Sequence, residues 1–190
     1  SLCNYLLNIN NGQEIIEHFE RNNMFIIPLD NERNWFRYHH LFQELLLKQL
    51  IGHRKSEEIV AMNLRASHWL ESKGFIEQAI RHALAAENTV RAVEIVEKRR
   101  LTEINQDRWY ILDHWLDILP EEITQQRIEL MLAHVNSLFE KFRVLDMIAI
   151  LDQIEKKFLT KDVEPALKGE INYYRGYISI YLNGDAESAL

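Results

Sequence analysis

Apolar residues recur with a helical period along most of this chain and switch to a strand-like pattern in one short stretch near the N-terminus. From Gln13 to Arg21, Ile15, Ile16 and Phe19 share one face, which predicts a helix closed by Asn22-Asn23, because Asn tolerates left-handed backbone. Met24 to Leu29 (MFIIPL) is rich in β-formers, and Pro28 confines it to an edge or a strand end. Asp30 to Asn34 is a polar turn and Trp35 to His39 is an aromatic run with strand preference, so the two segments together predict a β-hairpin. Leu41, Phe42, Leu45, Leu46 and Leu50 then predict a helix from Leu41 to Leu50.

From about His53 onward only helical periodicity is present. Ile59, Met62, Ala66, Trp69 and Leu70 mark one helix stopped by Gly74, and Phe75 to Ala86 repeats the pattern. Val90, Val93, Ile95 and Val96 mark a third, and Tyr110 to Leu119 a fourth ended by Pro120, with Glu121-Glu122 as favourable charges at the next helix start. Later helices are predicted over Glu129–Lys141, Val144–Phe158 and Pro165–Asn183. Short links imply antiparallel neighbours. Four junctions place a small or slender residue five positions after the turn: Gly74 to Ala79, Glu87 to Ala92, Phe142 to Met147 and Gly184 to Ala189. A small side chain there lets one helix approach the other, and the 42 residues between Phe142 and Gly184 are close to the repeat length of TPR or HEAT arrays. The expected fold class is mainly α: the C-terminal part of a winged helix with one β-hairpin, then a TPR-like antiparallel helical array. The expected domains are 1–52 and 53–190.

Composition narrows the function classes. The chain has 190 residues, 47% hydrophobic and 27% charged, as in a globular domain, and the net charge of −7 argues against a nucleic-acid platform, which carries a basic excess. Six Gly and three Pro fit a helical protein with short connections. A single cysteine, Cys3, can form no internal disulfide, which fits a reducing compartment and a cytoplasmic location. Apolar runs of about five residues span no bilayer. The start at Ser1 without Met, and the helix-like run Asp185–Leu190 at the end, lead us to expect a segment of a longer polypeptide.

The string from Met24 to Leu50 resembles the end of the winged-helix region in MalT-like regulators, the large LuxR-type ATP-binding activators of the STAND class. Phe25, Pro28-Leu29-Asp30, Arg33, Trp35, Arg37-Tyr38-His39-His40-Leu41-Phe42 and Leu45-Leu46 carry the resemblance. It continues through Ala66-Ser67-His68-Trp69, Gly74 to Ile80, His82 to Ala86 and Trp115 to Pro120; beyond Leu119 the reading rests on periodicity alone. The resemblance implies a parent built from an NTPase domain, a winged helix, a TPR-like superhelix and a C-terminal helix-turn-helix. This chain would then be a signal-sensing segment relaying inducer and nucleotide state to DNA-binding machinery elsewhere. The chain has no GxxxxGK[ST] phosphate loop, so ATP or ADP is implied for the parent and no cofactor is expected here. Implied partners are a small-molecule or protein inducer, other domains of the same chain, DNA only through the C-terminal domain, and self-association on activation, with no membrane. The alternative is a TPR-like interaction scaffold without nucleotide switching.

His39 and His40 are the residues singled out for chemistry. In the resembled class a histidine just before the helix after the wing contacts the phosphates of bound ADP, and His39 matches that position; an imidazole N–H can donate to a phosphate oxygen. Arg37 would assist. The alternative is that one histidine packs beside Trp35 and Tyr38 while the other faces water, the pair lying on opposite faces of a strand. Tyr173, Tyr177 and Tyr181, every four residues with Tyr174 beside them, either pack into the core or line a surface for an effector or partner. Trp109-Tyr110 is read as packing and Lys98-Arg99-Arg100 as a solvated helix end. No metal cluster and no catalytic motif accompanies the eight histidines or Cys3, so no enzyme is expected in this segment.

Overall fold

The computed structural model describes residues 1–32, 35–158 and 163–183. Five of its helices close by the same device. The second residue after the helix adopts left-handed backbone at Asn23 (φ 51°), Gly74 (83°), Glu87 (55°), Asp107 (60°) and Phe142 (54°). In each case its N–H and the next one reach back to orphan carbonyls of the last turn. Examples are Gly74 to Glu71 with Phe75 to Leu70, and Phe142 to Phe139 with Arg143 to Leu138. After all but Asn23, which leads into a strand, the chain starts a new helix at once. The residue five positions on is fully buried at Ala79, Ala92 and Met147, as the sequence spacing predicts, and also at Leu112 after Asp107, a junction the spacing missed. The Gly184–Ala189 junction and the Asp185–Leu190 helix lie outside the described residues.

Only Gly accepts positive φ without a Cβ penalty, and Phe142 is 73% exposed, so its side chain contributes little packing in return. Phe142→Gly should raise stability by about 1 kcal/mol, the left-handed penalty of about 1–2 kcal/mol less the extra chain entropy of about 0.5–1 kcal/mol. Urea unfolding should show a higher midpoint at unchanged slope; a lower midpoint would refute this account of the turn.

The chain divides into two compact units, Ser1–Asn88 and Thr89–Leu190. In the first, α1 (Leu2–Leu7) and α2 (Gly12–Arg21) precede strands β1 (Ile26–Pro28) and β2 (Phe36–Tyr38), followed by α3 (His40–His53), α4 (Ser56–Ser72) and α5 (Ile76–Ala85). The Asn4 side-chain carbonyl accepts from the Gly12 N–H at 2.9 Å, and a Cβ on Gly12 would come within 2.5 Å of that oxygen, so a larger residue there would displace the Asn4 amide. The strands pair antiparallel with Ile26 opposite Tyr38 and Pro28 opposite Phe36, the hairpin expected from the sequence. Trp35 packs edge-on to Phe75, ring centres 4.7 Å apart, tying the hairpin to the α4–α5 turn. Small residues Ala66, Ser67, Ala79 and Ala83, all fully or nearly fully buried, let α4 and α5 close on each other. The Arg65 guanidinium donates to the carbonyls of Tyr5 and Leu6, capping α1 from α4. Asn63 donates to the Ile59 carbonyl, which turns its own oxygen toward His82 at 2.8 Å and fixes the His82 proton on Nδ1; burial holds the His82 pKa below its usual value.

The second unit holds α6 (Thr89–Asn105), α7 (Trp109–Ile118), α8 (Glu121–Thr124), α9 (Ile128–Glu140), α10 (Val144–Phe158) and α11 (Pro165–Asn183). Helix α9 is its axis: Leu130, Leu132, Ala133 and Val135 are fully buried, and α6, α7, α10 and α11 all pack against it. Among the described residues strand is confined to the one hairpin, so the mainly α expectation holds.

Two expectations are corrected here. Lys98-Arg99-Arg100 is not a solvated helix end. It lies in the middle of α6, and Arg100 is 3% exposed with both guanidinium nitrogens on the Glu170 carboxylate of α11 at 2.5 and 2.8 Å. Val90, grouped with the apolar face of the third helix, is 67% exposed.

Candidate functional site

The last rung of the hairpin sets the position of His39. Its N–H donates to the Phe25 carbonyl at 2.8 Å, and its own carbonyl accepts from the Gln43 N–H at 2.9 Å, so His39 is both the strand end and the N-cap of α3. Its side chain makes no capping bond. The alternation of a strand stops at Tyr38, and the turn into the helix brings His39 and His40 to the same side. Their ring centres are 4.5 Å apart, correcting the expectation of opposite faces. Both are exposed, and neither packs beside Trp35 or Tyr38: Trp35 meets Phe75, and Tyr38 meets Phe42. The N–H groups of His40, Leu41 and Phe42 have no helical acceptor, since Gln43 makes the first bond of the helix. The arrangement offers two imidazoles beside the positive end of a 14-residue helix, a setting suited to an anion. Arg37 is exposed on β2, opposite Ile27.

Phe25 carries the family resemblance in the sequence, but its structural part is not legible there. It holds φ at 56°, a conformation costly for a bulky side chain, while its carbonyl anchors His39 and its ring lies 5.4 Å from that of Phe42. Strain of this kind has no signature in a sequence of apolar residues. Arg33 lies outside the described residues.

The tyrosines of α11 divide. Tyr174 is 5% exposed, and its hydroxyl accepts from the Asn136 amide at 3.1 Å; burial pushes its pKa up to about 12. Tyr173 and Tyr181 are about 60% exposed, so core packing does not describe them. Half-buried Tyr177 joins the group, edge-on to Phe139 at 4.6 Å and stacked on Tyr181 at 6.2 Å. Trp109 is partly buried under the Lys141 ammonium, 5.6 Å from its ring centre, and Tyr110 is exposed.

The second unit also contains a cavity of about 410 Å³ among α7, α8, α9 and α10. Its polar lining includes Asp113, Asp117, Glu121, Gln125, His134 and Gln153, over an apolar floor with Leu116, Leu119, Met131 and Ile150. Burial would raise the Asp113 pKa, but hydrogen bonds from Lys141 at 2.7 Å and Ser137 at 2.6 Å outweigh it and hold the carboxyl below its usual value. The walls desolvate the His134 imidazole and lower its pKa; the Lys141 and Arg143 charges act in the same direction, and Asp113 and Asp117 pull partly the other way. Sequence reading missed this site, although its signal is visible: Asp113, Asp117 and Glu121 recur every four residues. Among the described residues no group of three or more His, Cys, Asp or Glu side chains is arranged to hold a metal ion, and no helix is long and apolar enough to cross a membrane.

A hairpin that feeds a long helix and then a run of helical hairpins defines a winged-helix end joined to a helical array. Residues 1–59 match the family described as the MalT winged helix domain. The chain is 29% identical over 178 residues to the HTH-type transcriptional regulator MalT of Vibrio cholerae, covering 93% of this chain and 20% of that protein. It is 27% identical over 179 residues to the MalT of Cronobacter sakazakii, covering 94% and 20%. A further relative is the serine/threonine-protein kinase PknK of Mycobacterium tuberculosis, 30% identical over 142 residues, covering 74% of this chain and 13% of that protein. The chain thus spans about a fifth or less of the length of the curated relatives it matches. No solved structure matches it. Residues 1–59 thus carry a MalT-type winged helix domain, and over most of its length the chain is similar to MalT-like regulators.

Proposed function

We propose that the chain is a regulatory segment of a MalT-like, LuxR-type transcriptional regulator of the STAND class. Residues 1–52 are the end of its winged-helix domain and residues 53–190 a TPR-like array. The segment relays inducer and nucleotide state to a DNA-binding domain elsewhere in the parent, in the cytoplasm. The observation that carries this reading is the match of residues 1–59 to the MalT winged helix domain, with His39 presented at the junction of its hairpin and α3. In this reading His39 senses ADP phosphate, which bridges the winged helix to an NTPase domain of the parent and holds it closed.

The test is His39→Ala in the full-length parent, read by a transcription reporter without inducer. A lost hydrogen bond of roughly 0.5–3 kcal/mol shifts the closed/open ratio by about 2- to 100-fold toward open, so basal transcription should rise. The His39 ring is exposed and lies beside His40, so the melting temperature of the isolated segment should not change. Unchanged basal transcription with a destabilised segment would assign the residue to packing instead. The exposed tyrosines favour a second role, in which Tyr173, Tyr177 and Tyr181 receive an effector or partner; without a nucleotide switch, that role alone would make the array an interaction scaffold.

A further inference from the structure

We propose that the tyrosine face of α11 is the seat of the chain's own next segment, residues 184–190, which lie outside the described residues. This gives an occupant to the face for which a second role was proposed above, and it rests on that role only in treating the face as a seat. It is independent of His39. Counting back from the left-handed residue after each helix puts the helical hairpins in one register. In α4, α6 and α9, each followed by a helix that packs against it, the residues four and seven positions before that turn are buried. They are Leu70 and Ser67, Glu103 and Arg100, and Leu138 and Val135. Three apart, the two residues of each pair share a face. Burial there holds even where the residues are charged, since Glu103 pairs with Arg108 and Arg100 with Glu170.

Helix α11 departs from this pattern. Gly184 is the residue type best suited to a left-handed turn, and four and seven positions before it stand Ile180 and Tyr177. Ile180 is 49% exposed, and Tyr177 is only half-buried, edge-on to Phe139. In α9 the residues matching Ile180, Tyr177 and Tyr173 are Leu138, Val135 and Met131, and all three lie in the apolar core that α10 closes with Met147 and Leu151. An apolar and aromatic face in this register is one half of a helical hairpin, and the other half of each such hairpin is the segment next in the chain. That segment, Asp185-Ala186-Glu187-Ser188-Ala189-Leu190, has the chemistry for the place. Its acids come where a helix start favours them. Ala186 and Ala189, three apart, are small where the tyrosines are large, the pairing that lets facing side chains interdigitate. Ala189 also stands five positions after Gly184, the place held after the other turns by the buried Ala79, Leu112 and Met147.

The experiment is NMR of the whole 190-residue chain with isotope-labelled alanine methyls and tyrosine rings. Nuclear Overhauser contacts should join the Ala189 methyl to the Tyr177 or Tyr181 ring within one molecule, unchanged on dilution. The methyl should move upfield under the ring current, and the Tyr181 ring should be shielded from a soluble paramagnetic agent. Ala189→Asp, which sets a charge against the apolar seat, should abolish the contacts and open Tyr181 to the agent. Ala189→Ser, small and neutral, should keep both. An Ala189 methyl at its random-coil position beside fully accessible rings would overturn the inference and leave the face to an effector. Contacts found only between differently labelled copies would also overturn it, giving the seat to a second copy. Rings shielded without contact to residues 184–190 or to another copy would return the face to packing within the unit, and the inference and the second role would fall together.

Discussion

Arg100→Ala is expected to destabilise the second unit by about 3 kcal/mol, the low end of the 3–5 kcal/mol typical when one partner of a buried ion pair is removed. The low end applies because the pair is lopsided: the Arg100 side chain is 4% exposed, but that of Glu170 is 25% exposed and can recover some hydration. What the variant loses is less the attraction than the compensation, since Glu170 is left half-desolvated beside Tyr174, whose hydroxyl accepts from the Asn136 amide. Replacing both partners, Arg100→Met with Glu170→Leu, should recover most of the loss, because two apolar side chains of similar volume need no compensation. Urea unfolding of the two variants beside the parent sequence checks this. A single variant that costs under about 1 kcal/mol, or a double variant as unstable as Arg100→Ala, would show that the pair is solvated in solution.

That pair also marks where sequence reading stops. Lys98-Arg99-Arg100 looks like a solvated run because charge is read locally, while the carboxylate that makes burial tolerable stands 70 residues away on α11. The helices themselves are legible where local chemistry punctuates them. Predicted bounds of Val144–Phe158 and Pro165–Asn183 are those observed, the second because Pro at a first helical position leaves no N–H unsatisfied. Glycine announces the left-handed turn at Gly74, whereas Asp107 makes the same turn from a polar run, so the burial of Leu112 went unread.

The candidate sites were legible to different depths. His39 was placed correctly at the end of the hairpin, but its relation to His40 depends on where strand backbone gives way to helix, a boundary that periodicity fixes only within a residue or two. The spacing of Tyr173, Tyr177 and Tyr181 puts them on one face without saying whether another helix covers it; Phe139 covers only part. The acidic spacing of Asp113, Asp117 and Glu121 could have been noticed, yet two acids on one helix and a third at the start of the next read as solvated charges. Only the packing of α9 and α10 against them, bringing His134 and Ile150, turns those charges into a cavity wall.

Leu112→Ala should cost about 2–5 kcal/mol, the range for deleting a fully buried leucine, with the upper half expected because its surroundings have little freedom to collapse. Leu112 is fully buried five residues after the left-handed Asp107, at the point where α7 turns back, and α7 packs against both α6 and α9. Relaxation into the hole would have to move α9, whose Leu130, Leu132 and Val135 are themselves fully buried. Val90→Ala supplies the contrast within the same unit. It belongs to an apolar helical pattern just as Leu112 does, but at 67% exposure its truncation should change stability by no more than about 0.5 kcal/mol. Measured side by side in urea, the two variants separate the two things periodicity confounds, membership of an apolar pattern and burial. If Val90→Ala proved as costly as Leu112→Ala, the outward face of α6 would have to be covered in solution. If Leu112→Ala cost less than about 1 kcal/mol, the position five residues after each left-handed turn would lose its standing as the packing point of these helical hairpins.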